Sequence, residues 1–99
     1  MPAVTKDSVF MQTKEQVSCN LNGEAVILGY KKGVYYGLDP VGARIWELLK
    51  DPVRVSDIES VILREYEVKP ERCAKDVVAL IKGLLKADLV EAKHVKKGS

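Results

Sequence analysis

The spacing of apolar positions changes once along this 99-residue chain, at Asp39-Pro40. Upstream, apolar residues alternate with polar ones or come in short β-rich runs. Residues 16–21 (QVSCNL) alternate, the pattern of a half-buried strand. Asn22-Gly23 follows, a hairpin signal, because both central positions of a type I′ turn require positive φ. The apolar run at residues 25–28 supplies the partner strand, and Tyr30-Lys31-Lys32-Gly33 turns the chain into a third strand at residues 34–38. Residues 1–14 have no clean period and read as a loose arm, with only residues 9–11 apolar enough to touch a core.

Downstream the period is helical. Asp39 is an N-cap that accepts backbone N–H bonds, and Pro40 at the first helical position gives up no needed donor. Val41, Ile45, Leu48 and Leu49 recur at helical spacing beside Trp46, a core residue, while Gly42 and Ala43 let the helix approach the sheet. Asp51-Pro52 stops this helix, since the residue before a proline disfavours the α region. A second helix over residues 55–66 carries Val55, Ile58, Val61, Ile62 and Tyr66 on one face. A third, over residues 70–87, carries Cys73, Val77, Leu80, Ile81 and Leu84, with Val78 and Leu85 widening the stripe. An arc that broad belongs to a helix buried on two sides or lining a groove. Leu89-Val90 closes the domain. The organisation expected is an arm at 1–14, a domain at 15–91 and a basic, disordered tail at 92–99, whose last three residues read as a cloning remnant. The fold class is α+β: a winged helix-turn-helix outline in which a three-stranded antiparallel meander precedes three α-helices.

Composition narrows the function classes. The chain is 46% hydrophobic and 30% charged, as ordinary globular domains are. Its net charge of +2 is too small to imply a polyanionic partner. No apolar run approaches the ~20 residues of a membrane span, and the N-terminus lacks a signal peptide's apolar region, so a cytoplasmic location is expected. Cys19 and Cys73 stand outside any CxxC spacing and read as small packing residues. His94, the single histidine, has no His or Cys near it in sequence. No nucleophile–base pair, metal set or cofactor motif emerges, so neither catalysis nor a cofactor is expected.

What remains is binding. Val34-Tyr35-Tyr36-Gly37-Leu38 carries no charge, although small sheets usually blunt their edges with charge or proline. Val34, Tyr36 and Leu38 share one face, and Tyr35 with Gly37 the other. An uncharged edge beside a broad apolar helix suits strand addition, in which an incoming peptide donates main-chain hydrogen bonds and drops alternate side chains into a pocket. Asp76, near the apolar stripe, can take an N–H or a basic side chain of such a peptide. A DNA-binding winged helix is the rival reading. It wants basic residues on its recognition helix, whereas the second helix sets Arg64 against Asp57, Glu59 and Glu65.

The motif Tyr-Tyr-x-Leu-[Asn/Asp]-x-x-Gly-x-x-Ile-Trp-x-Leu-Leu, matched by residues 35–49, together with Asp-x-x-x-x-Leu-x-x-Leu-x-x-x-x-Leu-Val at residues 76–90, where Ile81 stands for the first leucine, resembles the PqqD-like family of precursor-peptide recognition elements. The resemblance spans residues 17–91 and looks most like the small stand-alone proteins of lasso-peptide biosynthesis. It implies a non-catalytic protein that binds the leader segment of a ribosomally made precursor peptide and presents it to a maturation enzyme, a leader peptidase in the lasso case. The neighbouring branch of the family serves pyrroloquinoline quinone biosynthesis as a peptide chaperone for a radical SAM enzyme. The resemblance further implies contacts at Val34, Tyr35, Tyr36, Gly37 and Leu38, and on the third helix at Asp76, Val78, Ala79, Ile81 and Lys82. Neither nucleic acid nor membrane is an expected partner.

Overall fold

The computed structural model describes residues 4–93. Their element order is β1 (Val9–Gln12), β2 (Val17–Leu21), β3 (Glu24–Gly29), β4 (Val34–Leu38), α1 (Pro40–Leu48), β5 (Val53–Arg54), α2 (Val55–Glu65), α3 (Pro70–Lys86) and β6 (Val90–Lys93). The fold is α+β, with the expected antiparallel meander β2-β3-β4 and the three helices.

A second sheet, β5-β1-β6, was not legible as such. Residues 9–12, expected within a loose arm, form its central strand, antiparallel to both neighbours, with Val9 and Phe10 buried. Its apolar run is only three residues long, and its partners lie more than 40 and 80 residues away (Val9 opposite Arg54 and Lys93). Nothing local announces a strand whose pairing is that distant. The same sheet includes Ala92 and Lys93, which lie past the expected start of the tail. His94 and the three C-terminal residues lie outside the described residues.

The meander is closed at one end by Asn22 (φ 53°) and Gly23 (φ 82°), the two left-handed positions of the predicted turn. That turn sets the register of β2 against β3 and explains a departure from expectation. Asn20 lies opposite Ala25 and Ser18 opposite Ile27, and Ala25 and Ile27 point into the core. The polar residues of β2 therefore face inward and Val17, Cys19 and Leu21 face out. All of β2 is exposed rather than half-buried, and Cys19 with it.

Beneath the meander, Asp39 caps α1 as expected, its Oδ1 accepting from the Gly42 N–H at 2.7 Å. Ile45, Trp46 and Leu49 enter the core, where they meet Ile58 and Ile62 of α2 and Val77, Ile81 and Leu84 of α3. Cys73 is buried as a packing residue, its thiol directed at the Glu59 carbonyl. A bidentate fork from Arg44 to Glu65 (2.9 and 3.0 Å) ties α1 to the end of α2. At its C-terminus α3 closes with Asp88 at φ 58° and Leu89 N–H donating to the Leu84 carbonyl, a Schellman-type stop that buries Leu89.

Candidate peptide-binding cleft

β4 pairs with β3 alone among the described residues, so its other side is an open edge. Which groups face the opening follows from the turn. A two-residue hairpin loop is flanked by a hydrogen-bonded pair, here Leu21 and Glu24, and such pairs recur at every second residue. Glu24, Val26 and Leu28 thus spend their N–H and C=O groups on β2. Ala25, Ile27 and Gly29 spend theirs on Leu38, Tyr36 and Val34 of β4. The N–H and C=O groups left to the open edge of β4 are those of Tyr35 and Gly37. No atom stands within 4 Å of the position a Gly37 side chain would occupy, so a second backbone can approach there.

The side chains of β4 alternate as predicted. Leu38 is buried, Val34 and Tyr36 are half-buried, and Tyr35 is 74% exposed on the outer face. Tyr36 reaches across to α3, where its hydroxyl lies against Gly83; a methyl group built on Gly83 would collide with it. Between β4, the start of α1 and α3 lies a cleft of about 560 Å³. It is lined by Tyr36, Gly37 and Leu38 of β4, the cap residue Asp39, Val41, Gly42 and Ile45 of α1, Val68 of the loop before α3, and Asp76 and Leu80 of α3. Gly42 lets α1 sit this close, since a Cβ there would stand 3.2 Å from Asp39 Oδ1 and 3.3 Å from Leu38.

The ten residues singled out from the sequence divide accordingly. Tyr36, Gly37, Leu38 and Asp76 line the cleft together, and Val34 and Tyr35 extend the same strand. Ile81 is fully buried in the core. At 100° per residue, Asp76, Leu80 and Gly83 fall within about 60° of one another on α3, with Ala79 at their flank. Val78 stands roughly opposite that face and Lys82 about 130° round from it, so neither points into the cleft. Leu80, Val41 and Val68 line it and were not among the candidates. Helical spacing puts Leu80 in the core stripe, whose edge it forms, and alone cannot tell the edge of a core face from the wall of a groove. Val68 lies in a loop, where no period applies.

The electrostatics are simple. Burial raises the Cys73 thiol pKa above its ordinary value, with Glu59 and Asp76 adding to the effect, so it stays protonated near neutrality. No group of three or more His, Cys, Asp or Glu among the described residues could hold a metal ion. No described helix is long and apolar enough to cross a membrane.

Comparison with known proteins decides the family. The profile described as coenzyme PQQ synthesis protein D (PqqD) matches residues 24–90, two-thirds of the chain and the whole span from β3 to the start of β6. The chain belongs to the PqqD family. Among solved structures it is similar to TbiB1, determined in complex with the TbiA(beta) leader peptide, at 31% identity and a TM-score of 0.75 over 87% of this chain and 99% of that one. Lasso peptide synthetase B1 complexed with a leader peptide follows at 24% identity and a TM-score of 0.72, covering 83% and 96%. The PqqD truncation of Methylobacterium extorquens PqqCD, described as a stand-alone RiPP recognition element, shares the fold at 18% identity (TM-score 0.73, covering 90% and 95%). No curated protein matches. The cleft of this PqqD-family chain thus sits in a fold shared along nearly the full length of all three structures.

Proposed function

We propose that this protein binds the leader segment of a ribosomally synthesised precursor peptide by strand addition at β4 and hands it to a maturation enzyme, without catalysing a step itself. The observation that carries the reading is the open edge at Tyr35 and Gly37 beside an apolar cleft walled by α3. The leader aligns antiparallel to β4, exchanges main-chain hydrogen bonds with Tyr35 and Gly37, and sends alternate side chains into the cleft. Main-chain pairing orients any extended segment, and the apolar wall selects among them. A leader that is disordered until bound spends part of its interaction energy on ordering, which keeps affinity moderate and release feasible. The role in maturation is then to raise the local concentration of the precursor at the enzyme.

The lasso pathway, with a leader peptidase as the recipient, is the preferred setting. Its support is the 31% identity to TbiB1, a protein solved with a leader peptide, against 18% to the PqqD domain of PqqCD. Titration of a fluorescent lasso-precursor leader peptide, beginning with the TbiA(beta) leader bound by the 31%-identical TbiB1, tests the reading. Saturable binding that is lost in Gly37→Pro and weakened in Leu80→Asp supports it; equal affinity in both folded variants refutes it. Faster leader cleavage by a lasso-pathway leader peptidase in the presence of the protein separates the lasso setting from the quinone one.

A further inference from the structure

The cleft is lined mainly by apolar groups, with Asp39 and Asp76 as its two charged side chains, and among the described residues its lining includes no lysine, arginine or histidine. We propose that the segment captured there carries a lysine or arginine N-terminal to its apolar anchor, held by Asp39 and Asp76. This rests on strand addition at β4 and goes further, by naming the chemistry and the polarity of the ligand.

Both carboxylates are available. Asp39 uses Oδ1 to cap α1, and its second oxygen accepts no hydrogen bond from the described residues. Asp76 holds only a loose pair with Arg72, at 3.5 Å between side chains that are 66% and 79% exposed. An exposed pair four residues apart on a helix contributes little and is readily exchanged for a cation arriving on a peptide.

The polarity follows from the layout. Gly83 lies against Tyr36, and Asp76 sits seven residues earlier on α3, about 10 Å up the axis. Asp39 directly follows Leu38 at the C-terminal end of β4. The cleft lining runs from Tyr36 to Asp39 along β4 and from Leu80 back to Asp76 and Val68 on the α3 side, without Val34, Tyr35 or Gly83, so the two carboxylates share the end where an antiparallel strand enters with its N-terminal residues. Side chains directed into the cleft recur at every second position of that strand. The basic residue thus stands two or four positions before the tyrosine, leucine or other bulky residue that fills the space between Leu80 and Ile45.

Panning the full chain with a phage library displaying random dodecapeptides tests this, followed by titration of synthetic versions of the enriched sequences. The expected sequences share a basic residue at an even spacing before a large apolar one. Replacing that residue with glutamine weakens binding about threefold to tenfold, the range of one or two partly exposed ion pairs. The penalty shrinks in Asp76→Asn and in Asp39→Asn, where asparagine still caps α1, and it shrinks again at high salt. Enriched peptides that fail to bind Gly37→Pro yet show no basic preference, or whose preference survives both asparagine variants, overturn the charge assignment and leave strand addition standing. Peptides that bind Gly37→Pro as tightly as the parent chain, or a library that yields none, count against strand addition itself and the charge assignment with it.

Discussion

The meander has two outer strands, and from sequence they look alike. β2 and β4 are both five residues long, and neither VSCNL nor VYYGL carries a charge. Among the described residues both leave alternate backbone groups unpaired along one side, Ser18 and Asn20 on β2 and Tyr35 and Gly37 on β4. What differs is the space below. Under β4 the gap between α1 and α3 opens a cleft of about 560 Å³ with Leu38, Ile45, Val41 and Leu80 in its lining. Under β2 the inward residues are Ser18 and Asn20, and the crevice against α1 is about 170 Å³. A row of vacant hydrogen-bonding groups pairs with any extended chain. Specificity, and the added affinity of apolar side chains leaving water, need a pocket with depth. The leader is therefore expected at β4, with β2 idle.

Proline at each edge is the sharpest way to break that contrast. Gly37→Pro removes an outward N–H and blocks close approach, and is expected to weaken leader binding more than about tenfold, since even one lost main-chain bond with its clash exceeds roughly 1.4 kcal/mol. Ser18→Pro makes the equivalent change on β2 and is expected to leave affinity unchanged in fluorescence titration. The two faces of α3 should separate next. Leu84→Ala, at a fully buried position, is expected to cost about 2–5 kcal/mol in urea unfolding. Leu80→Ala should cost less than half as much, with its larger effect on peptide affinity.

How far the sequence reaches is visible in these same elements. The meander, the capped α1 and the limits of α2 and α3 to within a residue or so were legible, because turn chemistry and helical spacing are local. β1 was not, since its strand character comes from partners at Arg54 and Lys93. The β4 half of the cleft was legible from its uncharged alternation. The α3 half was only partly so: Asp76 was placed and Leu80 was passed over in favour of Val78 and Ile81. A stripe widened on one side by Val78 and Leu85 and on the other by Leu80 does not reveal which margin meets the groove. The full exposure of β2, against the half-buried strand its alternation predicts, has a related cause: alternation sets a strand's period, but the inward side depends on the register imposed by its neighbour.

Smaller effects sharpen the picture further. Gly83→Ala gains helix propensity of about 0.5–1 kcal/mol but displaces the Tyr36 ring, so overall stability should stay within about 1 kcal/mol while leader affinity falls by about threefold. Cys19, exposed on β2, should react with iodoacetamide in the native protein, whereas Cys73 should react only after unfolding. Alkylated protein should bind the leader as before, as an idle β2 requires. The smallest effect concerns acid. Hydrogen bonding from Arg44 holds the Glu65 carboxyl pKa below its ordinary 4.5. A depressed carboxylate stabilises the fold above the unfolded value and stops doing so as pH falls through the folded one. The stability difference between the parent chain and Glu65→Gln should therefore be present at neutral pH and fade below about pH 4.5 in urea titrations.

Amide hydrogen exchange at Tyr35 and Gly37, followed with and without saturating leader peptide, tests the vacancy on β4 most directly. Both amides should exchange rapidly in the unliganded chain and become protected on binding, while Ser18 and Asn20 on β2 continue to exchange as before. Amides of Tyr35 and Gly37 that are already protected without peptide, or that stay fast at saturation, would contradict strand addition at this edge.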